Sequence, residues 1–449
     1  MTTYDAYAEA RLINKVFAKH KAGFRIDPDL RWRITPAFAL FKLDKRISES
    51  IARLDALRDN IEYTLHNYRY KRGIAGDTDR TFVRISMQPL QLEVNLPQPS
   101  VLPYQSMALE PHVALCGVCY GVRGETPILW QPDDSTQPHV LIAGTTGSGK
   151  TTLLQTVVLS MCNATSPDAL RYTFVDFKNS PALRWLAKLP HVEYMVTEPD
   201  EALGVLQEFY AEILRRKQGE TGPRRVLVVD ELASFTTSLE KNYRERTTHL
   251  LHEVARLGRE FQMHLIACTQ KPTANVVGEQ LKSNLPVRLV GMVTSPEESK
   301  TATGVAQAGA HLLPGKGAFI YVNAGTVRRF QAPMISDLAG EVRKVRASQG
   351  GTTITTTIAH RAPEPVVVLS SAEVDANAIR EAWQKGQSQA EMIRILTGDP
   401  AANTGGHNRR RLMAALNVLE RTTTTTSEKT LTTRVPSFFF RGSSSVKPQ

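Results

Sequence analysis

The feature that most constrains this chain is one run, Gly144-Thr145-Thr146-Gly147-Ser148-Gly149-Lys150-Thr151. It follows directly on a short apolar segment, Val140-Leu-Ile-Ala143, and leads into a helical pattern from Thr152 to Met161. Three closely spaced glycines let backbone N–H groups turn inward around a phosphate chain. The N-terminus of the helix that follows adds the positive end of its dipole. Lys150 is placed to reach the β- and γ-phosphates, and Thr151 to hold Mg²⁺. With Thr152 opening the helix, residues 144–152 form the expected cradle for ATP. The flanking strand and helix set this run apart from a chance match.

A second apolar strand, Val226-Leu-Val-Val229, ends in Asp230-Glu231 about 80 residues further on. Asp230 is expected to hold Mg²⁺, and Glu231 to polarise the attacking water as general base. A third strand ends in Thr269-Gln270, which makes Gln270 the candidate sensor of the γ-phosphate. With Tyr172–Val175 and the run from Val287 to Val293, these short β-branched segments alternate with helical ones. That is the rhythm of an α/β domain with a mainly parallel sheet over 131–340.

The chain has 449 residues, which predicts two or three domains. Residues 1–130 read as an α+β region. Within it, Ile47, Ile51, Leu54, Leu57, Ile61 and Leu65 predict one amphipathic helix over Asp44–Asn67, and Phe82–Leu96 alternates as strands do. Residues 341–370 read as a linker, 371–421 as a helical unit, and 422–449 as a Thr- and Ser-rich disordered tail. The tail contains a run of three phenylalanines at 438–440. A formal net charge of +11 favours a polyanionic partner such as nucleic acid. The four cysteines make no disulfide framework, and a reducing cytoplasm fits them. Cys116 and Cys119 lie in a strand-like stretch, where residues three apart face opposite sides, so they read as core residues rather than metal ligands. The most apolar stretch, Leu153–Cys162, is interrupted by Gln155, Thr156 and Ser160 and is too short to cross a membrane, so no direct membrane insertion is expected.

Beyond the three motifs, several stretches carry a family likeness. The run from Pro138 to Lys150, Val175-Asp-Phe-Lys178, Ala255-Arg-Leu-Gly-Arg259, His264 to Pro272, Leu281-Lys-Ser-Asn284 and Gly315-Lys-Gly317 resemble, in order, the FtsK/SpoIIIE-type DNA translocases. These belong to the HerA/FtsK superfamily of additional-strand P-loop ATPases. Phe177 stands where that family has proline, and Lys300 where it usually has arginine. The resemblance covers about 81–340, and more weakly 20–80, which looks like the small domain that precedes such motors. It implies a RecA-like motor in a homo-hexameric ring with double-stranded DNA through its pore, ATP being hydrolysed at subunit interfaces. An interface site needs a cation from the neighbour. Arg215, Arg216, Arg256 and Arg259 are the candidates, and the sequence does not choose among them. Well-known members carry N-terminal membrane spans, and none is visible here. The length suits motors encoded by plasmids, integrative elements or phages.

In the C-terminal unit, Ser371–Lys385, Ser388–Leu396 and Asn408–Leu419 read as three short helices. The second opens on the capping box Ser388-Gln-Ala-Glu391. The third begins with Asn408 and Arg409-Arg410-Arg411, so the unit resembles a helix-turn-helix or winged-helix module whose basic start meets DNA. Two other readings compete with the translocase: a secretion-type ATPase acting on protein substrates, and a DNA-binding regulator with a vestigial nucleotide fold.

Overall fold

The computed structural model describes residues 4–27, 32–75, 81–87, 90–121, 124–238 and 240–349, together with short stretches between 379 and 416. The chain divides into two compact units, Met1–Val366 and Val367–Gln449.

The first unit opens with the helix Ala6–Lys19. Asp5 caps it by accepting from Ala8 N at 2.9 Å, and Ala10, Ile13, Val16 and Phe17 form its buried face. β1 (Phe24–Arg25), β2 (Trp32–Ile34), β3 (Phe38–Lys42), β4 (Asp44–Lys45), β5 (Val83–Met87) and β6 (Leu90–Asn95) follow. An antiparallel sheet runs β2-β3-β6-β5, while β1 pairs separately with β4. The single helix expected over 44–67 is corrected here. Residues 44–45 are held in the β1–β4 pair, Ile47 is fully exposed, and the helical stretch is two pieces, Ile51–Ala56 and Arg58–Lys71, that meet at Leu57. Leu54, Leu57, Ile61 and Leu65 face the core as their spacing predicts. Below them, Arg69 and Glu9, each about 1% exposed, form a buried pair at 2.6 Å, which Tyr4 and the Asn95 carbonyl complete. Each charge there has its partner, as burial requires.

The second part of this unit is built on β7 (Leu102–Pro103), β8 (Ala114–Gly121), β9 (Gly124–Trp130), β10 (Val140–Ala143), β11 (Leu170–Val175), β12 (Val192–Val196), β13 (Arg224–Val229), β14 (Met263–Thr269), β15 (Val287–Val290), β16 (Ala318–Asn323), β17 (Thr326–Gln331) and β18 (Pro333–Met334). Ten of these form one sheet in the order β12-β11-β13-β14-β10-β15-β16-β17-β8-β9, and β7 pairs with β18 apart from it. From β12 to β15 all neighbours are parallel; from β15 to β9 all are antiparallel. The sheet is therefore mixed, with a parallel half that matches the expected strands and an antiparallel extension. The hairpin β8–β9, assigned by sequence to a region ending at 130, belongs to this sheet. The segment expected as linker from 341 begins as helix, Leu338–Ser348, whose Val342 and Val345 join the same core.

The helix Lys150–Ala164 is buried along Leu153–Cys162. The polar residues that interrupt its apolar run each find a partner. Gln155 donates to the Ala182 carbonyl at 3.0 Å, Thr156 to that of Pro333 at 3.1 Å, and Ser160 accepts from Leu115 N at 2.9 Å. The register of β8 on β9 skips Cys116, which breaks the alternation, so Cys116 and the half-buried Cys119 both meet the same core. No described helix is long and apolar enough to cross a membrane.

The two larger sheets of this unit meet at Arg33 of β2, which pairs with Glu125 of β9, and at Arg329 of β17. Arg329 lies 3.3 Å from Glu93 of β6 and 4.0 Å over the Phe38 ring, and its burial brings the guanidinium pKa down to about 9. Three buried histidines stay neutral. Burial holds His139 and His191 at about 4, and pushes His264, wedged between Arg224 and the Pro138 carbonyl, well below its ordinary 6.5. The unfolded chain binds protons at these sites that the folded chain refuses, so stability is at its plateau above pH 6.5 and falls as the pH drops towards 4. Each histidine contributes up to about 1.4 kcal/mol per pH unit in that window. Urea titrations from pH 7.5 to 4.5 should show this steep loss; a flat profile would contradict the burial of neutral imidazoles.

Candidate nucleotide site

The four strands β10, β11, β13 and β14 run parallel and in register, with Val175 beside Val229, Val229 beside Ala267, and Ala143 beside Thr269. Their C-terminal ends therefore emerge on one edge, which is where ligands sit in open α/β sheets. Gly144, Asp176, Asp230 and Gln270 are the first residues past those ends.

The glycine loop leaves β10 through Gly144, whose N–H donates to the Thr269 carbonyl at 3.1 Å. Thr145 is pinned on the other side, its N–H and hydroxyl both donating to the Met292 carbonyl, at 2.7 and 3.0 Å. Gly147 and Gly149 have φ of 82° and 101°, a region that L side chains rarely enter. A Cβ on Gly149 would lie 2.9 Å from Gly317 N. The loop is buttressed there: Lys316 N–H donates to the Gly147 carbonyl at 3.2 Å, and Gly317 N–H to that of Ser148 at 3.0 Å. The sequence signals this brace only as the two glycines around Lys316.

Lys150 opens the helix and folds its ammonium back on the Gly144 carbonyl at 2.8 Å. Burial is the main cause that lowers its pKa, and an anion in the loop would relieve that cost. Asp230, at the end of β13, is raised by burial first and by the charge of Asp176 second, so a cation held there would be favoured. A loop lined by left-handed glycines, a half-buried lysine and an acidic pair fits a phosphate chain carrying a divalent cation, with Thr151 and Asp230 as the cation's ligands.

Glu231 is fixed from three sides. Its Oε1 accepts from Thr269 Oγ1 at 2.9 Å and from Gln270 N at 3.3 Å, and its Oε2 from Lys178 Nζ at 3.3 Å. The Gln270 side chain in turn accepts from Thr146 Oγ1 at 3.3 Å. Thus Gln270 links the glycine loop to the carboxylate, which brings Lys150, Glu231 and Gln270 to one place. Sequence reasoning missed the roles of Thr269, the last residue of β14, and of Lys178, which follows the end of β11 by three residues.

Residues 123–221 match the model of the FtsK/SpoIIIE family. The chain is 32% identical over 238 residues to a DNA translocase FtsK of Clostridium tetani, an alignment over 47% of this chain and 31% of that protein. A DNA translocase FtsK of Helicobacter pylori strain J99 is 30% identical over 232 residues, or 46% of this chain and 26% of the relative. The glycine loop lies inside the region that matches this family's model. The match thus spans about a third or less of the length of these relatives. Among solved structures, the monomer form of the pCW3 conjugation coupling protein TcpA with ATPgS is 19% identical. The match covers 76% of this chain and 99% of that one, with a TM-score of 0.48.

The four candidate arginines lie away from the glycine loop of this chain. Arg215 and Arg216 end the helix Pro199–Lys217, just before β13 begins; Arg256 and Arg259 lie just before β14 begins. All four sit at the strand starts, the edge opposite the loop. Their surroundings differ. Arg216 is buried and spends its guanidinium on Glu212 and on the carbonyls of Phe261, at 2.8 Å, and Pro223, at 2.6 Å. Those contacts commit Arg216 within its own chain and count against its candidacy. Arg215 pairs with Glu208 at 2.6 Å, and Arg256 with Glu253 at 2.5 Å, both partly exposed. Arg259 is exposed.

In the second unit, Ile379, Ala382, Met392, Ile393, Leu412 and Ala415 form one buried cluster, with Trp383, Leu396 and Leu416 against it. The helix Gln389–Thr397 is capped as its sequence predicts, Ser388 Oγ accepting from Glu391 N at 3.3 Å. Asn408 and the exposed Arg409 begin the third helical stretch. Arg410, Arg411, the rest of the expected linker and the tail lie outside the described residues.

The contrast between the arginines is measurable. Arg216→Ala leaves Glu212 with Arg225 alone, 2.9 Å away, takes a donor from the Phe261 and Pro223 carbonyls, and should lower unfolding free energy by about 2 kcal/mol. Arg259→Ala should change it by less than about 0.5 kcal/mol. Equal effects in denaturant titrations would refute this sorting.

Proposed function

We propose that this chain is an ATP-driven motor that moves along double-stranded DNA as a ring of identical subunits. The observation that carries the reading is the Glu231 carboxylate, which a hydrogen-bonded Gln270 ties to the phosphate loop at Thr146. In this reading ATP lies in residues 144–152, with Lys150 against its β- and γ-phosphates. Mg²⁺ held by Thr151 and Asp230 neutralises charge on the phosphates when bound. Glu231 takes the proton of the attacking water, and Gln270 orients that water from the neighbouring strand end. The charge that develops on the γ-phosphoryl group calls for an arginine beyond the lysines of the site itself. Arg215, Arg256 and Arg259 lie on the far edge of the sheet, so only an adjacent subunit can deliver one of them. That geometry supports a ring, and the hexamer is the assembly the family resemblance implies.

The DNA partner rests on the relatives' named role, the +11 charge and the C-terminal unit. There we assign Asn408, Arg409, Arg410 and Arg411 to DNA contact, at the start of the third helix of a helix-turn-helix or winged-helix module.

Lys150→Ala should bind no nucleotide. Glu231→Gln should bind ATP and hydrolyse it at least ~10²-fold more slowly. It should also fail to displace a triplex-forming strand from linear duplex. Wild-type hydrolysis that never displaces the strand would overturn the translocase reading. Arg409, Arg410 and Arg411 changed together to Ala should weaken duplex binding and reduce its salt slope by up to about 3. An unchanged slope would remove this unit from the DNA interface.

A further inference from the structure

The turn that follows β11 carries a second lysine to the nucleotide site, and its backbone is fixed. Asp176, 2% exposed, accepts from Lys178 N at 3.1 Å and from Ser180 N at 2.7 Å, while Asn179 takes a φ of 47°. Phe177 anchors the turn from the other side, its ring 5.3 Å from that of Phe235, four residues after Glu231. The backbone is thus tied to the segment that follows Glu231. The Lys178 side chain, by contrast, is 48% exposed and ends 3.3 Å from Glu231 Oε2.

We propose that Lys178 senses the γ-phosphate: without nucleotide it rests on Glu231, and a nucleoside triphosphate draws it away and frees the carboxylate for water. This rests on the reading of the site as one that hydrolyses ATP.

Three observations favour an exchangeable contact over a fixed one. First, a half-exposed ion pair is weak, about 0–1 kcal/mol, so little is lost when the ammonium leaves. Second, the other oxygen of Glu231 keeps its own donors, Thr269 Oγ1 and Gln270 N, so the carboxylate stays in place after Lys178 departs. Third, Lys178 lies near enough to Lys150 for its charge to add to the lowering of that amine, so both lysines border the same phosphate space. A terminal phosphate carries more charge than one carboxylate and attracts an ammonium more strongly at equal distance. A diphosphate lacks that terminal group and leaves Lys178 on Glu231. The contact therefore distinguishes triphosphate from diphosphate and couples the difference to the availability of the base.

The test uses the full chain, with Lys178→Met and Lys178→Arg. Titrate ATPγS and ADP separately, and measure kcat and KM for ATP. The proposal expects Lys178→Met to weaken ATPγS binding about 10-fold with ADP affinity unchanged, to lower kcat, and to leave the melting temperature where it was. Lys178→Arg, which keeps the cation, should restore ATPγS affinity to within a few-fold of wild type. Equal affinities of variant and wild type for both nucleotides would overturn the proposal. So would an equal loss for both, which marks a structural role. A wild-type chain that binds neither nucleotide would instead refute the underlying site assignment.

Discussion

The ten-stranded half of this structure depends on one arrangement: β10 hydrogen-bonded in parallel between β14 and β15. All four residues of β10 are buried, and their backbone groups find partners in those ladders. Because the ladders are in register, the turn after β10 begins beside Gln270 on one side and Gly291 on the other. The glycine loop is therefore held by its neighbours' strand ends. Thr269 and Met292 accept its first two N–H groups, and Gly317 closes it from the antiparallel extension. Shifting β10 by one residue would turn its side chains over and detach the loop from all three.

That frame gathers charges it does not itself neutralise. Lys150 rests half-buried on a carbonyl, burial and the charge of Asp176 raise Asp230, and Lys178 leans on Glu231. Elsewhere in the same unit, buried charges are paired within the chain, as in Glu9–Arg69 and Glu93–Arg329. The difference is instructive. Where the fold needs only stability, each buried charge has a fixed partner. At the edge of the parallel strands the partners are weak or borrowed, which leaves room for a triphosphate and its metal.

Much of this was legible in the sequence because the signals were local. Val140–Ala143, Val226–Val229 and Leu265–Ala267 are short β-branched runs bounded by polar turns, and each lies inside a strand with its predicted functional residue just beyond. The capping box at Ser388 is local in the same way. What escaped is non-local. The hairpin β8–β9 joins the large sheet where Gln331 pairs with Val118, more than 200 residues away. No pattern within 114–130 announces that neighbour. The hairpin β16–β17 did carry a signal, an apolar run that ends at the turn Ala324-Gly325, both with positive φ, but it breaks the parallel rhythm that precedes it. Arg216 looks like any basic residue at a helix end; only the carbonyls of Phe261 and Pro223 around it show that it is committed to its own subunit.

The central claim is that hydrolysis at this edge is coupled to duplex DNA. The most direct measurement is steady-state ATP turnover by the full chain as linear duplex is added, repeated with fragments of increasing length. The account predicts strong stimulation that rises with duplex length until a subunit ring can run without meeting an end. Turnover that ignores duplex of any length while responding to a peptide would contradict it.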